Sequence, residues 1–243
     1  MTSPRLDPPF WRHDAYTLAR LAGALREVVA GLGERLRAGQ RVVDLGAGDA
    51  PYRPLFAASG AVYTACDFGT AADVTLVPGE PVPLGDACAD VVVSFQVLEH
   101  VWDLDAYLGE ARRLLRDDGR LVLSTHGTWP YHPHPTDFRR WTRDGLLAEL
   151  RTRGFEVLSA RALLGPLAWT TQFRALGYHA LLSRLPLLGP LLSAAVCAFM
   201  HLRMRLEDAI TPAAWIDANA AIYLLVAAKA PATAAPTGAT APR

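Results

Sequence analysis

The chain has 243 residues, 51% of them apolar, and its 24 basic and 24 acidic side chains leave a formal net charge of zero. That length and apolar content suit one globular domain with a substantial core. The absence of a basic excess argues against nucleic acid as the default partner. Cys66, Cys88 and Cys197 show no pairing or metal-ligand spacing, and residues 1–14 contain no apolar run of the secretory type, so reduced thiols and a cytoplasmic setting are expected.

From about Asp14 to Arg37, Leu18, Leu21, Ala22, Leu25, Val28, Val29, Leu32 and Leu36 recur at three- and four-residue spacing. This predicts an amphipathic helix within an N-terminal helical region, 1–40. A β-branched strand, 41–45, then ends in Asp44 and the turn Gly46-Ala47-Gly48. Glycines there open backbone angles closed to other residues and let a ligand lie against the main chain. A dinucleotide fingerprint would place a third glycine where this chain has Pro51.

A helix over about 51–59 leads to a second strand, 61–66, followed by Asp67, an acid placed to accept both ribose hydroxyls of a nucleoside. A short strand is expected over 73–77, a strand over 90–95, a helix over 103–115 and a strand over 119–125. Strands alternating with helices predict a parallel sheet covered on both faces. Thr142 and Asp144 can begin a helix that Gly154 stops. Strands at 155–159 and 220–227 close the pattern.

Between those last strands lie about sixty apolar, helix-patterned residues, too many for a structureless connection. They predict a helical cap insertion over 161–215. Leu185 to Met200 carries no charge, but Pro186, Gly189 and Pro190 interrupt it, and a membrane span needs about 20 apolar residues. Three uses of the insert are open: a lid over an apolar substrate, a homodimer interface, or an in-plane contact with the inner face of a membrane. The domain is expected to span 1–230. The Ala/Pro/Thr-rich tail, 231–243, reads as disordered.

The segment Asp44-x-Gly46-x-Gly48-Asp49-x-Pro51, the acid Asp67, the run from Pro81 through Leu98-Glu99-His100-Val101, and "RRLLRDDGRLVLS" from Arg112 occur in that order. Together they resemble class I S-adenosylmethionine-dependent methyltransferases of the small-molecule, type 11-like branch. The resemblance implies a Rossmann-like α/β sheet with an antiparallel last strand, and S-adenosylmethionine as cofactor. It implies that Asp44 organises the ammonium contacts, Gly46, Ala47 and Gly48 admit the methionine moiety, Asp67 holds the ribose and Phe68 packs on adenine. Asp86, Ser94, Phe95 and Gln96 complete the expected cofactor set. One departure stands out: Pro78 occupies the place of the acid that usually contacts the adenine amino group.

The densest polar cluster follows the fifth strand, from His126 to Thr142, and also resembles one branch of the family. His126, His132 and His134 are the candidate catalytic bases, since imidazole titrates near neutrality. With Asp137 they also form a conceivable ligand set, but their spacing matches no standard metal pattern and no resident metal is assigned. A purely structural loop is the third reading. The expected activity is methyl transfer to a small or lipophilic acceptor, with oxygen the commonest nucleophile. Rival readings are a cyclase or rearrangement enzyme on the same fold, and a non-catalytic membrane- or partner-binding protein.

Overall fold

A computed structural model describes residues 3–231. Seven strands form one sheet in the order β3-β2-β1-β4-β5-β7-β6. They are β1 (Arg41–Leu45), β2 (Val62–Asp67), β3 (Val74–Thr75), β4 (Ala89–Phe95), β5 (Leu115–His126), β6 (Phe155–Leu163) and β7 (Ile222–Lys229). The pairs from β3 to β5 are parallel, whereas β7 runs antiparallel to both β5 and β6. This is the expected α/β architecture, antiparallel last strand included.

The centre of the sheet follows from composition. In β4 every residue of Ala89–Phe95 is buried, as a strand covered on both faces requires. One face packs against α1 (Ala15–Gly31), through Leu21, Ala22, Leu25 and Val28, and against Phe56 of α2 (Arg53–Ala57). The other packs against α3 (Leu104–Leu114) and α4 (Arg143–Thr152), through Leu108, Leu114, Leu146 and Leu150. The side chains of Asp103 and Thr142 cap α3 and α4, accepting from Ala106 N and Gly145 N at 2.9 and 3.2 Å.

Several expected bounds shift. The helix of 51–59 shortens to Arg53–Ala57, and β3 keeps only Val74–Thr75, opposite Cys66 and Asp67 where its partner β2 ends. β5 begins at Leu115: one residue separates Ala89 and Val91 on β4 where four separate Leu115 and Arg120, so 116–119 bulge out of the ladder. β6 runs on to Leu163, since β7 supplies partners along that whole length.

The insertion forms α5 (Pro166–Leu182), α6 (Gly189–Ile210) and the short α7 (Ala213–Ala218). α5 and α6 make a tight hairpin: a Cβ on Gly189 would lie 2.3 Å from the Leu182 carbonyl oxygen. The hairpin is fastened to the N-terminal region. Thr17 donates to Gln172 at 3.0 Å, Tyr16 to Asp208 at 2.8 Å, and His13 stacks on His179. The inner stripe of α6, Ser193, Cys197, His201 and Met204, is buried. Its outer stripe, Leu191, Phe199, Leu202, Leu206 and Ile210, is exposed, and Leu187 at the hairpin tip is 95% exposed. No helix among the described residues is long and apolar enough to cross a membrane. Most of the tail expected to be disordered, 232–243, lies outside the described residues.

Candidate functional site at the carboxyl edge of the sheet

The turn after β1 is built for close approach. Gly46 and Gly48 have φ of +79° and +57°, a region that side chains disfavour. A Cβ on Gly46 would lie 2.7 Å from both methyl groups of Val97, so the segment after β4 lies directly against this turn. Gly46 N and Ala47 N donate to the Cys66 carbonyl at 2.9 and 3.2 Å, fixing the turn beside the end of β2.

Asp67 faces the same turn. Its two oxygens accept from Gly48 N and Phe68 N, both at 2.7 Å. A carboxylate offers about four lone-pair sites, so two remain for ribose hydroxyls. Phe68 is exposed, as is Val77. Leu76 N donates to Asp67 O, which brings the end of β3 alongside Asp67.

Asp44 lies beneath the turn, 2% exposed. It accepts a hydrogen bond from Tyr63 OH. Burial, against the lowering effect of that bond, pushes its pKa up to about 7, with the nearby Asp67 charge adding to the rise. Tyr63 was invisible as a site residue in the sequence. Val42 pairs with Tyr63 and Asp44 with Ala65, which places Tyr63 and Asp44 on one sheet face as diagonal neighbours.

The residues ending β4 serve mainly to hold the edge. Ser94 Oγ meets Tyr107 OH at 2.7 Å, and that hydroxyl also reaches Leu45 O at 3.0 Å, tying α3 to two strands. Phe95 packs edge-on against Tyr52. Gln96 has φ of +58°, donates through Nε2 to Ser124 Oγ at 3.0 Å and leaves Oε1 buried with no protein partner. Asp86 is not brought to this edge. It pairs with Arg113 at 2.6 Å, next to Ala87, whose N–H donates to Arg113 O at the opposite, amino end of β4.

The histidine-rich loop returns over the segment after β4. Phe138 N donates to Glu99 O at 2.9 Å, and Arg139 reaches the Val101 and Trp102 carbonyls. Arg140 forks onto Asp137 and also donates to Trp129 O and Pro130 O. That pairing holds the Asp137 carboxyl well below its ordinary range.

This scaffold gathers His126, His132, His100 and Glu99. The His132 ring lies 4.9 Å from His126 and 5.0 Å from His100, centre to centre. Glu99, fully buried, accepts from Thr125 Oγ1 at 2.8 Å, and its other oxygen lies 3.4 Å from His126 Nε2. Burial raises the Glu99 pKa and lowers those of His126 and His132, which keeps both imidazoles neutral near pH 7 and able to accept a proton. His134 is exposed and farther out, 6.3 Å from His132. Glu99 already stands out in the sequence within the Leu98-Glu99-His100-Val101 segment, and the β4–β5 register adds its partner Thr125.

Comparison with known proteins identifies the family and the fold. A family profile described as a methyltransferase domain matches residues 11–174. A Mycolicibacterium smegmatis protein named as a probable S-adenosylmethionine-dependent methyltransferase is 39% identical over 82 residues, 31% of this chain and 32% of that protein. The match thus spans about a third of that relative's length. Among solved structures, a geranyl diphosphate methyltransferase in complex with S-adenosylmethionine superposes with a TM-score of 0.57 at 15% identity, covering 89% of this chain and 90% of that one. The [4+2]-cyclase SpnF superposes with a TM-score of 0.55 at 19% identity, covering 86% and 82%. At those identities the superpositions show a shared fold.

Proposed function

Because the chain belongs to the methyltransferase-domain family, whose members use S-adenosylmethionine, we propose that it methylates a small or lipophilic acceptor at a hydroxyl oxygen. The observation that carries this reading is the placement of two parts on one sheet edge. The Asp44, Gly46, Gly48 and Asp67 cradle opens there, and Val97, packed on Gly46, leads directly into Glu99 and the histidine cluster.

In this reading Asp44 faces the ammonium of the cofactor, the Gly46 to Gly48 backbone admits the methionine chain, and Asp67 binds the ribose. Phe68 and Val77 pack on adenine, contributing apolar contact where an acid is missing. Transfer itself is displacement at carbon. The acceptor oxygen forms the new bond to the methyl group while the carbon–sulfur bond breaks, its electron pair going to sulfur to leave a neutral thioether. The hydroxyl proton goes to an imidazole, for which His132 is best placed, being half-buried and neutral. Alignment of the two reactants supplies most of the rate, up to about 7–11 kcal/mol for well-oriented partners.

The outer face of the α5–α6 hairpin favours a lipophilic acceptor. The hairpin carries Arg174, Arg184, Arg203 and Arg205 against Glu207 and Asp208, with Arg203 paired to Glu207, and the same stretch carries the exposed leucines. Such a surface suits an anionic lipid interface, where an apolar acceptor would reside.

The test is incubation with methyl-labelled S-adenosylmethionine and a series of phenols and quinols bearing alkyl tails of increasing length, followed by mass spectrometry. The expected result is label on the acceptor oxygen, one S-adenosylhomocysteine formed per turnover, and a rate that grows with tail length. Bound cofactor with no transfer, and an acceptor rearranged at unchanged mass, would instead favour a cyclase.

A further inference from the structure

The geometry points to a divalent-metal site formed by Glu99, His100 and His132 beside the proposed methyl-transfer centre. The histidine loop alone gives no metal-binding spacing. The fold adds two ligands from the segment after β4: one nitrogen of each ring and one Glu99 oxygen lie within 4.8 Å of one another.

Three independent features of the cluster favour an ion. First, Glu99 is fully buried and its Oε1 has no hydrogen-bond partner, with His126 Nε2 3.4 Å away, while Oε2 is satisfied by Thr125. A buried, half-satisfied carboxylate is costly unless a cation or donor meets the free oxygen. Second, the imidazoles are oriented from behind. His100 Nδ1 lies 2.5 Å from the Thr136 carbonyl. A carbonyl only accepts, so Nδ1 carries the hydrogen and the Nε2 lone pair is left for a ligand. His132 Nδ1 lies 3.4 Å from both Asp137 and Arg140 Nη2, the arginine also fixing that carboxylate. Backbone carbonyls and carboxylates behind the ligating rings are the recurring outer shell of metal-binding histidines. Third, the charges leave room for a dication. Asp137 pairs with Arg140, and Glu99 is left without an ion-paired arginine or lysine among the described residues.

Two imidazoles and one carboxylate suit a borderline ion such as zinc, cobalt or ferrous iron rather than magnesium or calcium, which prefer all-oxygen sites. Zinc–nitrogen bonds of about 2.0–2.1 Å put ligand atoms about 3 to 3.5 Å apart. The three groups therefore close by roughly 1.5 Å on binding, within reach of ring rotation. Three protein ligands leave coordination positions open to an acceptor oxygen. With an ion bound, His132 would serve as ligand and no longer as base: the ion would lower that oxygen's pKa, and its proton would depart to solvent before the oxygen attacks the methyl carbon.

The experiment uses the full chain, untagged and stripped with a chelator, titrated with Co2+ by calorimetry and by the visible absorption of the ion. One saturable equivalent is expected, with Glu99→Gln and His132→Ala each weakening it at least tenfold. His134→Ala, the exposed neighbour on the same loop, should bind Co2+ as the parent does. His100→Ala, at a half-buried position, decides the matter where Glu99→Gln fails to fold by circular dichroism. No saturable absorption in the parent, an unchanged affinity in His132→Ala, or an equal loss in His134→Ala overturns the site. S-adenosylhomocysteine titrated into the same samples reads the cofactor cradle separately. Co2+ binding without the nucleoside refutes the methyltransferase reading and leaves the metal site standing, and the converse result does the reverse.

Discussion

Cofactor affinity should rise with pH up to about 7 and then level off, and the cause is Asp44. Its carboxyl is buried and its pKa stands at about 7 in the free protein. The groups facing it are Tyr63, which donates to it, and the more distant charges of Asp67 and Arg53. A cofactor ammonium brought against Asp44 stabilises the ionised form, so binding below pH 7 must release a proton. The α-amino group of the ligand titrates near 8 and stays charged throughout that window. Each unit below 7 then costs about tenfold, or about 1.4 kcal/mol, giving roughly tenfold weaker binding at pH 6 than on the plateau and about a hundredfold at pH 5. Calorimetry in two buffers of different ionisation enthalpy counts the released proton directly, and Asp44→Asn should abolish both the release and the slope. The same shift has a stability signature. A carboxyl raised from 3.8 to about 7 on folding favours the native state below its unfolded pKa. That advantage is lost as pH rises through about 7, to a ceiling of ~4 kcal/mol. An affinity independent of pH between 5 and 7, with no proton released, would refute the placement of the ammonium over Asp44.

Asp67→Ala should weaken S-adenosylhomocysteine binding tenfold or more, since charge-assisted hydrogen bonds contribute about 1.5 to 3 kcal/mol. Unchanged calorimetric affinity would mean the ribose sits elsewhere. Gly46→Ala combines a positive φ with a Cβ 2.7 Å from the Val97 methyl groups, and a loss of about 1 to 3 kcal/mol is expected in urea unfolding. Val97→Ala in the same chain should recover part of that loss, and no recovery would dismiss the clash. Leu187→Asp with Leu188→Asp should abolish flotation with phosphatidylglycerol vesicles while leaving S-adenosylhomocysteine binding intact. A parent chain that stays out of the lipid fraction contradicts the interfacial reading, and a concentration-dependent dimer in sedimentation would assign the outer face to a second copy.

The sheet was legible in the sequence because its signals are local. The apolar run of β4, the glycine turn after β1 and the Thr142 cap each declare themselves within a few residues. What escaped depends on register between distant strands. Tyr63 reaches Asp44 only because β1 and β2 pair as they do, and Glu99 meets Thr125 and His126 only once β5 lies beside β4. Asp86 shows the opposite limit. An acid just before a strand looks like part of the cofactor set, but Arg113 lies nearer, at the end of the sheet away from the cradle. The insertion's helices could be anticipated from their composition, whereas their docking on α1 through Gln172 and Asp208 could not, since those contacts join residues more than 150 positions apart.

The position of β7 between β5 and β6 also orders events during synthesis. Until Ile222–Lys229 leaves the ribosome, β5 has an unpaired outer edge and β6 has no neighbour at all. The whole α5–α6 hairpin emerges first, with its outer apolar stripe exposed. A nascent chain thus carries an open strand edge and a sticky helical pair together, the combination that invites premature association. Completion of one eight-residue strand closes the sheet, so truncations just before Ile222 should need chaperone holding far more than truncations elsewhere in the chain.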